Sequence, residues 1–230
     1  MVLGLGTSSI LIYSCLKAIL LFCKKSYIET DLYHLTVCAE QIMTTYGGYQ
    51  DAIGACGKGF KLTHFKPGLI PEINCKTINI NPNIQKNIQD RILFIYTGQT
   101  RVAKNLVNSV VTDYINKKST TISTLKTIGI TAKHMADDLY NNDLPSFSHN
   151  MIKSFNLNTI LNSDFSNPNI NSILHLFSNF IDGYMLSGAG GGGFITFFLK
   201  ENISKKNAEN LLKVNFPNSN IKIYNFKIIF

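Results

Sequence analysis

Gly4-Leu5-Gly6-Thr7-Ser8-Ser9 opens directly into the apolar run Ile10-Leu11-Ile12-Tyr13-Ser14-Cys15-Leu16-Lys17-Ala18-Ile19-Leu20-Leu21. A glycine loop bearing hydroxyl side chains thus stands at the mouth of a predicted helix. The first amides of a helix have no partner inside it, and the aligned peptide dipoles leave that end partly positive, so an anion there is stabilised from two sources. Gly4 and Gly6 let the backbone come close to a phosphate where a β-carbon would obstruct, with Leu5 between them. Thr7, Ser8 and Ser9 supply hydroxyls for N-capping, for phosphate or for Mg²⁺. A glycine-serine helix cap with no ligand is the other reading of the same residues. Two familiar phosphate loops are excluded: no Lys precedes the hydroxyl residues, as a Walker loop requires, and the stretch has neither the preceding strand nor the third glycine of a dinucleotide fingerprint.

The chain has 230 residues and 45% hydrophobic content, enough for one large globular domain or two small ones. Its formal charge of +8 raises the question of nucleic acid. The lysines are dispersed, however, in pairs such as Lys24-Lys25, Lys117-Lys118 and Lys205-Lys206, and no cluster of arginines and aromatics accompanies them. A solvated basic surface is the expected reading, with no nucleic-acid partner, and a small polyanion such as a nucleoside triphosphate is compatible with it. The cysteines, Cys15, Cys23, Cys38, Cys56 and Cys75, include no C-x-x-C pair. They are expected to be reduced, mostly buried thiols of a cytoplasmic protein. The His residues are scattered singly, so no zinc site is expected. The apolar N-terminal run lacks a positively charged leader, and Lys17 at its centre would cost roughly 2.5–3.5 kcal/mol in a bilayer. No membrane span is expected.

Along the chain, Asp31 is expected to cap a second helix with Leu32, Leu35, Ala39, Ile42 and Met43 on one face. Glu40 then projects about 80° from Leu32, at the edge of that stripe, where its carboxylate can turn into a cleft; an ordinary boundary Glu is the alternative. Tyr46-Gly47-Gly48 stops the helix, and Tyr49-Gln50-Asp51-Ala52 is read as lying on the turn. Strands are expected at Phe60–Thr63, Thr77–Ile80, Ile92–Tyr96 and Phe194–Leu199, and from Ile221 to Phe230. Helices are expected over Arg101–Lys117, Thr121–Tyr140 and Lys205–Val214, with another that Asn167 caps and Pro168 opens. Ser187-Gly188-Ala189-Gly190-Gly191-Gly192-Gly193 joins two apolar segments. Adjacent glycines surrender backbone entropy on folding, which points to close approach of a ligand or of another chain segment. Strands and helices interleave without a repeat, so the fold class is α+β.

A hydroxylated glycine loop at a helix start, a helix Glu followed by Asp eleven residues later, and a late glycine-rich turn together resemble the GHMP kinase superfamily of small-molecule kinases. Gly47-Gly48-Tyr49-Gln50-Asp51 and Tyr96-Thr97-Gly98-Gln99-Thr100-Arg101 are similar, within it, to the L-fucokinases and, next, to the heptose 7-phosphate kinases. The resemblance implies a GHMP kinase fold, with an incomplete ATP-binding unit over residues 1–90 and a ferredoxin-like α/β sandwich over 91–230. It implies ATP and Mg²⁺ and phosphorylation of a sugar, L-fucose at its anomeric hydroxyl. In that scheme Gly4, Leu5, Gly6, Thr7, Ser8 and Ser9 cradle the triphosphate together with Gly190, Gly191, Gly192 and Gly193. Ser8 and Glu40 ligate Mg²⁺, Asp51 is the catalytic base, Tyr49 and Gln50 meet the sugar, and Arg101 contacts phosphate or serves structure. Members of the family carry roughly a hundred further residues ahead of the loop. A missing N-terminal segment or a completing partner chain is therefore expected, with an exposed sheet edge and an unfilled core in the N-terminal half and a risk of aggregation.

Overall fold

The computed structural model describes residues 5–43, 48–56, 58–100 and 104–229. Its elements, in chain order, are α1 (Thr7–Phe22), α2 (Glu29–Ile42), α3 (Tyr49–Cys56), β1 (Lys61–Lys66), β2 (Glu72–Thr77), α4 (Pro82–Arg91), β3 (Ile92–Tyr96), α5 (Lys104–Ile115), α6 (Ser119–Tyr140) and α7 (Leu144–Leu161). A 3₁₀ turn at Ser163–Phe165 precedes α8 (Pro168–Phe177), β4 (Ile181–Leu186), β5 (Phe194–Leu199), α9 (Lys205–Asn215) and β6 (Lys222–Tyr224). The α+β class is the one observed.

Four strands form an antiparallel sheet in the order β4-β5-β3-β6. Side chains alternate across a strand, and both faces of this sheet are covered. Leu93 and Ile95 enter one core with Ile195, Phe197, Ile173 and Phe177 of α8, and Leu212 of α9. Ile92 and Phe94 enter another with Phe198, Ile88 of α4, Leu139 of α6, and Phe147 and Met151 of α7. Burial on both sides explains why β5 reads Phe-Ile-Thr-Phe-Phe-Leu with every residue buried.

Arg91 ties the sheet together at the junction of α4 and β3. Its Nε donates to the Leu199 carbonyl at 2.7 Å, and its Nη2 to Asp182 Oδ2 at 2.6 Å. Nη1 lies 3.5 Å from Glu201, and the guanidinium stacks 4.1 Å from the Phe198 ring centroid. Burial pulls the guanidinium's pKa down, and Asp182 and Glu201 oppose that shift.

The N-terminal part is a layer of α1, α2 and α3 around Tyr13, Leu32, Tyr33, Val37, Ala52 and Ile53. Ile73 and Cys75 of β2 pack against it from the β1–β2 hairpin. Here several expectations are corrected. Helix α2 starts two residues before Asp31, which lies in its first turn instead of capping it, and Ile28 is the N-cap. Its buried face runs through Leu32, Tyr33, Thr36, Val37 and Glu40, whereas Leu35, Met43 and Ile42, the last 82% exposed, point outward. Two apolar stripes compete on this helix, and the one with buried hydroxyls wins because α1 and α3 lie against it. Leu11 and Phe22 of α1 are exposed as well, so this layer leaves apolar surface uncovered. Cys15, Cys23 and Cys38 sit on these outward faces and are exposed free thiols, not buried ones. Lys17 lies 3.6 Å from Glu29. Among the described residues no helix is long and apolar enough to cross a membrane.

Strand β2 ends at Thr77, earlier than the expected Thr77–Ile80, because Ile73 and Cys75 are the side chains that reach the helical layer. The expected terminal strand is short. After Tyr224 the chain leaves the sheet and crosses α4, where Gln89 donates to the Phe226 carbonyl and accepts from the Ile228 amide.

Candidate active site

Gly6 is the N-cap of α1 and has φ 65°, a left-handed conformation that glycine adopts without penalty. Among the described residues no side chain caps this helix. The hydroxyls offered for capping are used elsewhere: Ser8 Oγ donates to Glu40 Oε1 at 2.7 Å and Ser9 Oγ to the same oxygen at 2.8 Å. Glu40 is 1% exposed. It lies one turn beyond Thr36 on the buried face of α2, so α2 carries a carboxylate directly to the first turn of α1. Leu5 and Thr7 are exposed beside it, and Gly4 lies outside the described residues.

Tyr49-Gln50-Asp51-Ala52 forms the first turn of α3, not a turn between elements. Ala52 and Ile53 are buried against α1 and α2, and that packing outweighs the helix-breaking tendency of Gly54. Asp51 is half-buried. Its carboxyl pKa is pushed up, first by burial and then by the charge of Glu40. Ser8, Ser9, Glu40 and Asp51 therefore share one site. Gln50 is exposed, and the Tyr49 hydroxyl lies 2.8 Å from His34 Nδ1. Gly47 and Arg101 are outside the described residues.

The late glycine turn is held by other chain segments. The Gly191 amide donates to the Phe165 carbonyl at 2.7 Å, and the Gly193 amide to the Gln99 carbonyl at 2.9 Å. Asn167 Nδ2 donates to the Gly191 carbonyl and to Gln99 Oε1. A β-carbon on Gly192 would stand 2.9 Å from the Gln99 carbonyl oxygen. Chain approaches chain closely at Gly190 and Gly192, while Gly191 and Gly193, at φ 72° and 80°, turn their amides to the same two segments.

Gly190→Ala should destabilise the fold by about 2–3 kcal/mol. Gly190 has φ +84°, and its new Cβ would lie 2.3 Å from Phe165 Cδ2 and 2.7 Å from the Phe165 carbonyl oxygen, which the Gly191 amide already pins. Gly129→Ala in α6 is the control, because nothing lies within 4 Å of its Cβ. That change should stabilise by about 0.5–1 kcal/mol. Urea midpoints that shift in the same direction for both would overturn the clash argument.

No protein-family model matches the chain. It is similar to the bifunctional fucokinase/GDP-fucose pyrophosphorylase of Arabidopsis thaliana, 29% identical over 225 residues that make up 98% of this chain and 21% of that protein. It is also similar to the D-glycero-alpha-D-manno-heptose 7-phosphate kinase of Campylobacter jejuni, 27% identical over 206 residues, 85% of this chain and 57% of that enzyme. The chain thus spans about a fifth of the length of the first relative. Among solved structures, the phosphomevalonate kinase of Streptococcus pneumoniae, in complex with phosphomevalonate and AMPPNP, superposes with a TM-score of 0.74 at 16% identity, covering 97% of this chain and 68% of that one. The fold is the GHMP kinase fold, and the relatives found by sequence are sugar kinases.

Proposed function

We propose that this chain is the phosphoryl-transfer part of an ATP-dependent sugar kinase acting on L-fucose at its anomeric hydroxyl. The observation that carries the reading is the convergence of Ser8, Ser9 and Glu40 with Asp51 at the uncapped N-terminus of α1. Fucose is preferred to a heptose 7-phosphate because similarity to the fucokinase runs over 98% of the chain, against 85% for the heptose kinase.

The first-turn amides and dipole of α1 hold the triphosphate, with Gly6 allowing close approach. Residues 1–90 act as the ATP-binding unit, and Gly190–Gly193 close over it from the unit spanning 91–230. The donor set fits a hard divalent cation. Ser8 Oγ and the Glu40 carboxylate are oxygen ligands 2.7 Å apart, and Mg²⁺ takes one or two protein ligands when phosphates supply others. Among the described residues there is no group of three or more His, Cys, Asp or Glu that would make a metal cage on its own. Bound there, Mg²⁺ neutralises phosphate charge.

Asp51 accepts the proton of the sugar C1 hydroxyl. That oxygen forms a bond to the γ-phosphorus as the bond from phosphorus to the bridging oxygen breaks, and ADP leaves. A raised pKa makes Asp51 a stronger base than a solvated carboxylate. Gln50, exposed beside it, and the ring edge of Tyr49 orient the sugar. Incubation with ATP, Mg²⁺ and either L-fucose or a heptose 7-phosphate, followed by mass spectrometry, tests the reading. Fucose 1-phosphate with stoichiometric ADP is expected; nucleotide-dependent thermal stabilisation without a phosphorylated sugar would identify a nucleotide-binding protein instead.

A further inference from the structure

Asp51 stands in the first turn of α3, an eight-residue helix. What fixes that helix therefore fixes the base. One anchor is the buried pair Ala52 and Ile53. The other is Tyr49, in the same turn as Asp51. Its ring meets the His34 ring edge-on at 5.4 Å and the Phe65 ring at 5.3 Å, and its hydroxyl lies 2.8 Å from His34 Nδ1. Burial raises the phenol pKa, so Tyr49 keeps its proton, and its hydroxyl and His34 Nδ1 share a hydrogen bond whose donor follows the imidazole tautomer. His34 and Glu40 both belong to α2, about 9 Å apart along its axis at 1.5 Å per residue. A single rigid helix thus sets Glu40 directly and, through Tyr49, the turn that bears Asp51.

We propose that His34 is a positioning residue that, through its hydrogen bond to Tyr49, holds the first turn of α3 and with it the Asp51 carboxylate at a fixed distance from Glu40. The inference rests on the kinase reading above for its consequence in turnover, and on geometry alone for its consequence in α3. His34→Phe keeps an aromatic ring and removes the ring nitrogen. His34→Asn places an amide, which can donate or accept, near the position of Nδ1 and restores the bond. Tyr49→Phe removes the hydroxyl.

In the 230-residue chain, His34→Phe should lower kcat for fucose about tenfold or more, since misplacement by an ångström costs up to about a hundredfold. KM for ATP should be unchanged, and His34→Asn should recover most of the loss. The double variant His34→Phe/Tyr49→Phe should lose no more than either single one, because both remove one bond. Amide hydrogen exchange over residues 50–53 should quicken about tenfold in His34→Phe and return towards the parent rate in His34→Asn. Unchanged exchange in His34→Phe overturns the proposal whether or not the chain turns over. If exchange quickens while the parent protein makes no sugar phosphate, the kinase reading fails and the α3 anchor stands. If exchange quickens and kcat stays within twofold of the parent, the positioning role is refuted.

Discussion

Asp51→Asn should lower sugar phosphorylation by about 10²–10⁴-fold and at the same time raise the melting temperature. The amide is the same size as the carboxylate but accepts no proton from the sugar hydroxyl, so the base is lost and the helix is kept. The stabilisation follows from electrostatics. Burial first, and Glu40 second, lift the carboxyl above its ordinary value of 3.8. The folded state then binds the proton more tightly than the unfolded chain, so stability falls as pH rises from that value through the folded pKa, and at neutral pH the full cost is present. Asparagine carries no charge and removes that slope. Melting curves from acid to neutral pH check it: the gap between variant and parent should widen with pH and then level off. Normal turnover in the variant would show that Asp51 is not the base, and a lower melting temperature at neutral pH would show that Glu40 does not repel it.

Arg91→Ala should cost about 2–3 kcal/mol, chiefly from the lost hydrogen bond to the Leu199 carbonyl and the lost packing on Phe198, because Asp182 and Glu201 are 39% and 81% exposed and keep their hydration. The Arg91 side chain is 10% exposed and serves four groups at once: the Leu199 carbonyl, Asp182, Glu201 and the face of Phe198. Alanine leaves the carbonyl without this donor and opens space over an aromatic ring that is itself fully buried. A domain commonly has about 5–15 kcal/mol of stability in all, so the change consumes a large share. Arg91→Lys should fall between, because an ammonium restores charge but not the planar fork that reaches Leu199 and Asp182 together. Urea midpoints decide: an alanine variant within about 0.5 kcal/mol of the parent would mean the network is a surface ornament.

Local signals were legible where chemistry and packing agree. Asn167-Pro168 gives a helix whose cap is observed, with Asn167 Oδ1 accepting from the Ile170 amide at 3.0 Å. The same type of signal stands at Asn81-Pro82 and at Asp143-Leu144-Pro145, where Asn81 accepts from Asn83 and Asp143 from Ser146. These open α4 and α7, which periodicity alone did not pick out because polar residues interrupt both apolar faces. The central strand was readable because a strand buried on two sides is apolar throughout, as Ile92–Tyr96 is. At the site, the resemblance to the GHMP kinases singled out Ser8, Glu40 and Asp51; in the structure Ser8 donates to Glu40, whose charge in turn acts on Asp51. The sharing of one Glu40 oxygen by two serines was not readable, nor was the role of His34, because neighbours from different helices leave no pattern along the chain. For the late glycines the sequence leaves ligand and chain segment open as the close neighbour; Phe165 and Gln99, which the structure sets against them, lie far away in sequence.

The place of β3 in its sheet has a consequence for biosynthesis. Both neighbours come late: Ile92 pairs with Phe198, and Tyr96 with Lys222. When Ile-Leu-Phe-Ile-Tyr leaves the ribosome, neither edge has a strand to bind, and about a hundred residues, chiefly helical, must be translated before β5 follows. At about 5–20 residues per second that interval is on the order of ten seconds, long compared with the microseconds in which hairpins close. Over that interval the nascent chain carries an apolar strand with both edges unpaired, open to pairing with its like on neighbouring chains.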